Sequence, residues 1–277
     1  MDYKILENFI DEKTCIKLIA DAKKYSSNDN LKVQNNRSIL PSSSIGFLNL
    51  LDKSNVWKKL HEYLNSETFL KILQNELKIK DKNISITNFF FTNKPSYLLK
   101  KYKTLNSKKI STIGTNGLLF YLFFKFYRFI QRKIKYSFTS RKFVELLYDY
   151  SISPNGYFRE IHRDSDSRTI VFLIYLNQLK KNGSCGELNL FKYSKDNNNI
   201  PSQPHTKDCT LIESIPPKTG RLVTFLNSHD SLHSVSKMEN YSELRHFLYG
   251  SFTLLGKKNS FLKNSIGSLK TNFNIFD

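Results

Sequence analysis

The chain has 277 residues, 39% of them hydrophobic and 14% aromatic, enough to bury a substantial core as one large domain or two small ones. Its three cysteines, Cys15, Cys185 and Cys209, show no CxxC pairing, which argues against a disulfide framework or a zinc knuckle and makes a reducing cytoplasm the expected location. The formal net charge of +19 is concentrated: from Lys94 to Lys142 there are 13 Lys and Arg and no Asp or Glu, a one-signed block that points to an anionic partner or a solvated surface.

The opening MDYKILENFIDEKTC is acidic and mixed, without an apolar run, so a secretory signal is not expected. Residues 4–25 predict a short strand or loop and then a helix, with Asp11 as N-cap and Cys15, Ile16, Leu18 and Ile19 as its apolar stripe. Residues 55–79 predict helix in one or two pieces, turning Trp57, Leu60, Leu64, Leu70, Ile72, Leu73 and Leu77 inward. The alternating NISITNFFF (83–91) predicts a strand.

Within the basic block, residues 117–136 carry no helix breaker. Lys125, Arg128, Arg132 and Lys135 are spaced to share one helical face, and Phe120, Tyr121, Phe123, Phe124, Tyr127 and Ile130 cover much of the rest. The apolar run Leu118–Phe124 is far short of the roughly 20 residues that span a bilayer. Three readings stand: a helix packed by its aromatic face, an interfacial helix on an anionic membrane, or a groove for an acidic polymer. Nucleic acid is the weakest of these partners, because the aromatics form one continuous run without the interleaving that stacking platforms need.

After about residue 143 the texture changes to short β-like runs, 168–177, 186–193, 220–227 and 245–255, separated by turn clusters such as Asn182-Gly183 and Thr219-Gly220. Strands at this spacing predict a sandwich or barrel. The tail from Lys257 is polar, and no internal repeat is visible.

The chemistry gathers in His162-Arg163-Asp164, followed by His233 and then Arg245. Two histidines and a carboxylate are the ligand set of an open-sided non-haem Fe(II). In a strand, His162 and Asp164 share a face while Arg163 points away. His229 competes with His233 as distal ligand, and the pattern Leu232-His233-Ser234-Val235 favours His233. His61, His205, His229 and His246 are expected in ordinary hydrogen bonds, with His246 pointing opposite to Arg245. Arg168 and Glu187 read as strand-edge or loop polar residues, and Cys185 and Cys209 as inert.

The residues NGYFREIHRDSDSRTIVFLIYLN, CGELNLF, GRLVTFLNSHDSLHSV and RHFLYGSF, with the opening YKILENFIDEKTCIKLIADA, resemble the prolyl-4-hydroxylase-like branch of the Fe(II)/2-oxoglutarate-dependent dioxygenases. The resemblance covers residues 1–25 and 150–255. It implies an α+β fold: a double-stranded β-helix (jelly-roll) core, supporting N-terminal helices and a basic helical insert. One domain over 1–277 would comprise support (1–92), insert (93–142), catalytic core (143–256) and tail (257–277).

The resemblance further implies that His162, Asp164 and His233 hold Fe(II) and that Arg245 pairs with the distal carboxylate of 2-oxoglutarate. Tyr175 would contact the same carboxylate. O2 would be consumed, ascorbate would serve as reductant, and an unactivated C–H would be hydroxylated as 2-oxoglutarate is converted to succinate and CO2. Asp164 argues against the halogenating relatives, which carry a small residue there.

Three departures accompany the resemblance. The distance from His233 to Arg245 is about two residues longer than usual, implying a loop extension at Glu239–Ser242. Arg245-His246-Phe247 stands where relatives often carry Arg-x-Ser. Ser251 stands where the nucleic-acid-demethylating branch carries a second arginine. The expected substrate is acidic or membrane-associated, with peripheral contact to an anionic membrane through 117–136. A competing expectation is a jelly-roll binding protein that docks on a membrane or polyanion without turnover.

Overall fold

A computed structural model describes residues 1–26, 31–79, 84–86, 142–179, 186–195, 200–239 and 243–255. The predicted helix at 117–136, Cys185, residues 87–91, residues 240–242 of the loop extension and the tail from 257 lie outside the described residues. Among the described residues, no helix is long and apolar enough to cross a membrane. The chain divides into two units, Met1–Lys82 with Leu146–Thr253, and Asn83–Glu145 with Leu254–Asp277. In the second, β4 (Ile84–Ile86) pairs in parallel with the first residues of β5 (Lys142–Ser153).

The first unit is an α+β jelly roll. Its large antiparallel sheet runs β1 (Tyr3–Leu6), β10 (Leu222–Leu226), β7 (Arg168–Tyr175), β12 (Arg245–Leu255), β5, β3 (Arg37–Pro41), β2 (Lys32–Gln34). The smaller sheet runs β6 (Arg159–His162), β11 (Leu232–Val235), β8 (Leu188–Tyr193), β9 (Cys209–Ile215). Central β7 reads RTIVFLIY because it is covered on both faces, which removes the usual alternation. Val171, Leu173 and Tyr175 point into the core shared with Leu188, Leu190 and Ile215 of the small sheet. On the opposite face, Phe172 meets Phe69 edge-on at 5.3 Å.

That second face is covered by α1 (Glu12–Tyr25), α2 (Ile45–Lys53), α3 (Asn55–Leu64) and α4 (Glu67–Glu76). Asp11 caps α1 as expected, accepting from the Thr14 N–H at 2.9 Å. The next three helices repeat one local device: Ser44, Ser54 and Ser66 accept from the backbone N–H of Phe47, Trp57 and Phe69, three residues on. Each cap contributes about 1 kcal/mol and delivers a fully buried aromatic to the interface. Trp57 packs edge-on against Tyr150 at 5.3 Å, and its indole N–H donates to the Leu18 carbonyl.

Several expectations need correction. Ile16 is 61% exposed, because the inward face of α1 is the narrower stripe Cys15, Leu18, Asp21 and Ala22. Leu60 and Ile72 are half-buried. Helix α2 and the β2–β3 hairpin had no prediction, and neither did β9 and β11. The hairpin turns at Asn35-Asn36, both with positive φ, a conformation asparagine tolerates better than most residues.

Candidate active site

His162 and His233 meet because β6 and β11 pair antiparallel with these two residues directly opposite each other. Their rings lie 4.4 Å apart. His233 follows β10 through a short loop and sits inside β11, paired on one side to His162 and on the other to Leu190. Conversely, β6 ends at His162, so Asp164 lies beyond the strand and the shared-face argument does not position it. Asp164 arrives from the loop before β7, held by Arg168 Nη1 at 2.8 Å and by the Tyr249 hydroxyl.

The three residues form one cluster whose ligating atoms all lie within 4.8 Å of one another. Each histidine is oriented by its own backbone: the Nδ1 of His162 donates to the Glu160 carbonyl at 2.8 Å, and that of His233 to the Ser231 carbonyl at 3.2 Å. Both Nε2 atoms are thereby left as lone-pair donors, the arrangement that fixes a metal-ligating tautomer. Burial pushes His162 down to about 4, helped by the nearby His233, and burial lowers His233 as well. For Asp164, burial opposes ionisation, but the neighbouring His233 ring and the Arg168 guanidinium outweigh it and hold the carboxyl below its usual range. Neutral imidazoles beside an ionised carboxylate are the protonation states a divalent cation requires. The His162, Asp164 and His233 group fits iron, with a donor set that leaves positions open.

The cluster opens into a cavity of about 220 Å³ between the two sheets. Arg245, the first residue of β12, projects into it and is only 1% exposed. Its guanidinium lies over the rings of Phe247 and Tyr157, at 4.8 and 5.3 Å, and Nη1 donates to the Gly186 carbonyl. Its Nε is buried with no hydrogen-bond partner, and among the described residues no salt bridge reaches this cation. A buried guanidinium without a counter-ion is costly unless a ligand supplies the negative charge. The same chain of contacts requires glycine at 186: φ is +72°, and a Cβ there would lie 2.6 Å from both Arg245 Nη1 and Met238 Cγ.

Tyr175 is fully buried in the same cavity, directly opposite Phe247 in the β7–β12 register. Burial pushes its hydroxyl up to about 12, although Arg245 pulls the other way, so it stays a protonated donor at neutral pH. Phe247, where a hydroxyl residue is common in the resembling branch, fills its place with a ring stacked on the Arg245 guanidinium.

Other expectations are settled by position. His246 points away from Arg245 and accepts or donates at 2.7 Å to the Tyr150 hydroxyl. His61 pairs likewise with Tyr148, and His229 is exposed and outside the metal-binding group. Arg168, read from sequence as a strand-edge residue, opens β7 and is also bonded to Asp164; its spacing of four from that residue was the available signal. The cavity residues Arg37, Asp149, Arg159 and Tyr249 went unnoticed in the sequence, since they come from separate strands with no motif linking them.

The model of the 2OG-Fe(II) oxygenase superfamily matches residues 147–249. No curated protein sequence matches the chain. Among solved structures, the chain is similar to a prolyl-4-hydroxylase from Pseudomonas putida, with 15% identity, a TM-score of 0.46, and coverage of 93% of this chain and 94% of that one. It is also similar to a prolyl 4-hydroxylase from Phytophthora capsici, with 14% identity, a TM-score of 0.48, and coverage of 97% of this chain and 66% of that one. A third is the viral collagen prolyl hydroxylase of Paramecium Bursaria Chlorella virus-1, with 12% identity, a TM-score of 0.38, and coverage of 93% and 91%.

Proposed function

We propose, proceeding from the match of residues 147–249 to the 2OG-Fe(II) oxygenase superfamily, that this chain is a prolyl-4-hydroxylase-like hydroxylase acting on an unactivated C–H bond. The reaction balances as R–H, 2-oxoglutarate and O2 giving R–OH, succinate and CO2. His162, Asp164 and His233 are the residues that would hold Fe(II), which supplies the oxidising chemistry when bound.

The protein's own part is binding and orientation. Arg245 receives the distal carboxylate of 2-oxoglutarate through parallel guanidinium hydrogen bonds, offsetting the cost of its burial. Tyr175, kept protonated, donates to the same carboxylate. Phe247 and Tyr157 bracket the guanidinium and fix its plane. Leu173, Leu188 and Val235 line the cavity with apolar surface that excludes water.

The observation that carries this reading is the orphaned Nε of Arg245 in the same cavity as the two histidines and the aspartate. A binding protein without turnover has no need of that cation, and nothing in the cavity or the comparisons supports that alternative. The test is succinate release from 2-oxoglutarate with Fe(II), ascorbate and air, comparing wild type with Asp164→Ala. Succinate from the wild type alone supports the reading; none from either, with no Fe(II) binding, sinks it.

A cytoplasmic location, read from the unpaired cysteines, and peripheral contact with an anionic membrane, read from the spacing of basic residues in 117–136, are likewise our proposals. Co-sedimentation with anionic vesicles, lost on deletion of 100–140, is the test of the membrane contact.

A further inference from the structure

The pairing of β6 with β11 contains an irregularity beside the site. His233 lies opposite His162, but Val235 lies opposite Arg159, so two steps on β11 span three on β6. This is a β-bulge, and its effect is to re-aim a side chain. In a regular strand, residues three apart point to opposite faces. Here Arg159 and His162 both line the cavity.

The bulge therefore brings a cation toward a site built for a cation. The charge of Arg159 is felt at both His162 and His233, where it opposes further positive charge. Among the described residues Arg159 has no ion pair that would neutralise it. Arg168 is matched by Asp164, and Arg245 has the role assigned above. Across the cavity, Arg37 on β3 is only loosely matched: its Nη2 is 3.8 Å from Asp149, its Nη1 donates to the Tyr157 hydroxyl at 3.3 Å, and its Nε is buried without a partner.

A charge count extends the point. The cavity lining holds four arginines, 37, 159, 168 and 245, and two aspartates, 149 and 164. A divalent metal and a dianionic co-substrate cancel each other, so the loaded cavity keeps its positive excess. That excess beside the reacting position favours an incoming anion.

We propose that Arg159, with Arg37 on the facing wall, binds a carboxylate carried by the substrate that is hydroxylated. This rests on the oxygenase reading above and specifies the chemical class of its substrate. Arg159 supplies the unpaired guanidinium at the iron-facing wall, and Arg37 closes over the same group from the β2–β3 hairpin, together with its neighbours Gln34 and Asn35.

The test uses the full chain loaded with Zn(II) and 2-oxoglutarate, so that binding is read by calorimetry without turnover. The probes are N-acetylated amino acids and short peptides containing aspartate or glutamate, each compared with its amide. The expected result is carboxylate binding at least roughly tenfold tighter than amide binding, a ratio that falls to about one in Arg159→Gln and returns in Arg159→Lys. Preference among the small acids identifies a free acid as the source; preference among peptides alone identifies an acidic peptide. Equal binding of acid and amide across the panel overturns the proposal. So does an Arg159→Gln variant that keeps the preference but loses 2-oxoglutarate affinity, which would assign Arg159 to the co-substrate. Failure of the oxygenase reading is separate: the wild type would then release no succinate and bind no 2-oxoglutarate.

Discussion

The hydroxyl of Tyr249 on β12 lies 2.9 and 2.8 Å from the two carboxylate oxygens of Asp164. The same hydroxyl accepts from Arg168, which also donates directly to Asp164, so the carboxylate is gripped by two donors that support each other. Because Asp164 sits past the end of β6, this grip, not the strand, sets its direction.

Removing the hydroxyl should therefore loosen the metal site without emptying the core. Tyr249→Phe keeps the ring over the Arg168 and Arg37 guanidiniums. The expected loss of divalent-metal affinity is about 10- to 100-fold, the usual effect of deleting a partner of a ligand. Mn(II) titration followed by electron paramagnetic resonance reads it directly. Unchanged affinity would mean Arg168 alone suffices.

Among the described residues no salt bridge reaches the buried Arg245, so the proposed co-substrate should stabilise the fold when it binds there. Adding 2-oxoglutarate at about 100 times its Kd should raise wild-type stability by about 2.7 kcal/mol. Arg245→Met, which removes the unpaired charge, should be no less stable than wild type in the absence of 2-oxoglutarate and should show no such rise. Thermal denaturation with and without 2-oxoglutarate distinguishes the two proteins.

Gly186 tests the packing behind that arginine. Its positive φ and the 2.6 Å approach to Arg245 and Met238 leave no room for a methyl group. Gly186→Ala should cost about 1–3 kcal/mol of stability. It should also raise the KM for 2-oxoglutarate, because Arg245 must shift. Urea denaturation and a 2-oxoglutarate titration give the two readouts.

His246 supplies a pH dependence away from the metal ligands. Burial, with a smaller push from Lys23, lowers it to about 4. The unfolded chain, with an ordinary histidine near 6.5, binds the proton first, so stability falls as pH drops from about 6.5 toward 4. At the lower end the loss approaches about 3 kcal/mol. Urea midpoints should show it as a difference between wild type and His246→Gln, whose stability lacks this component.

How far the chain can be read in advance divides along physical lines. The helix start at Asp11, the apolar strand β7 and the residues His162, Asp164, His233 and Arg245 were legible because each rests on local pattern or on order along the chain. Strand β11 was not, since its four residues carry too little periodicity and become a strand only by pairing on both edges. The hairpin carrying Arg37 was invisible for the same reason.

The sequence by itself determined the chemistry on offer: two imidazoles, a carboxylate and a guanidinium, in an order and among strands that bring them to one sandwich. Only the tertiary structure decided their arrangement. The opposition of His162 to His233, the hold of Tyr249 on Asp164 and the bulge that turns Arg159 inward all depend on register between strands distant in sequence. Register is set by which faces can be buried together, and no single segment carries that information.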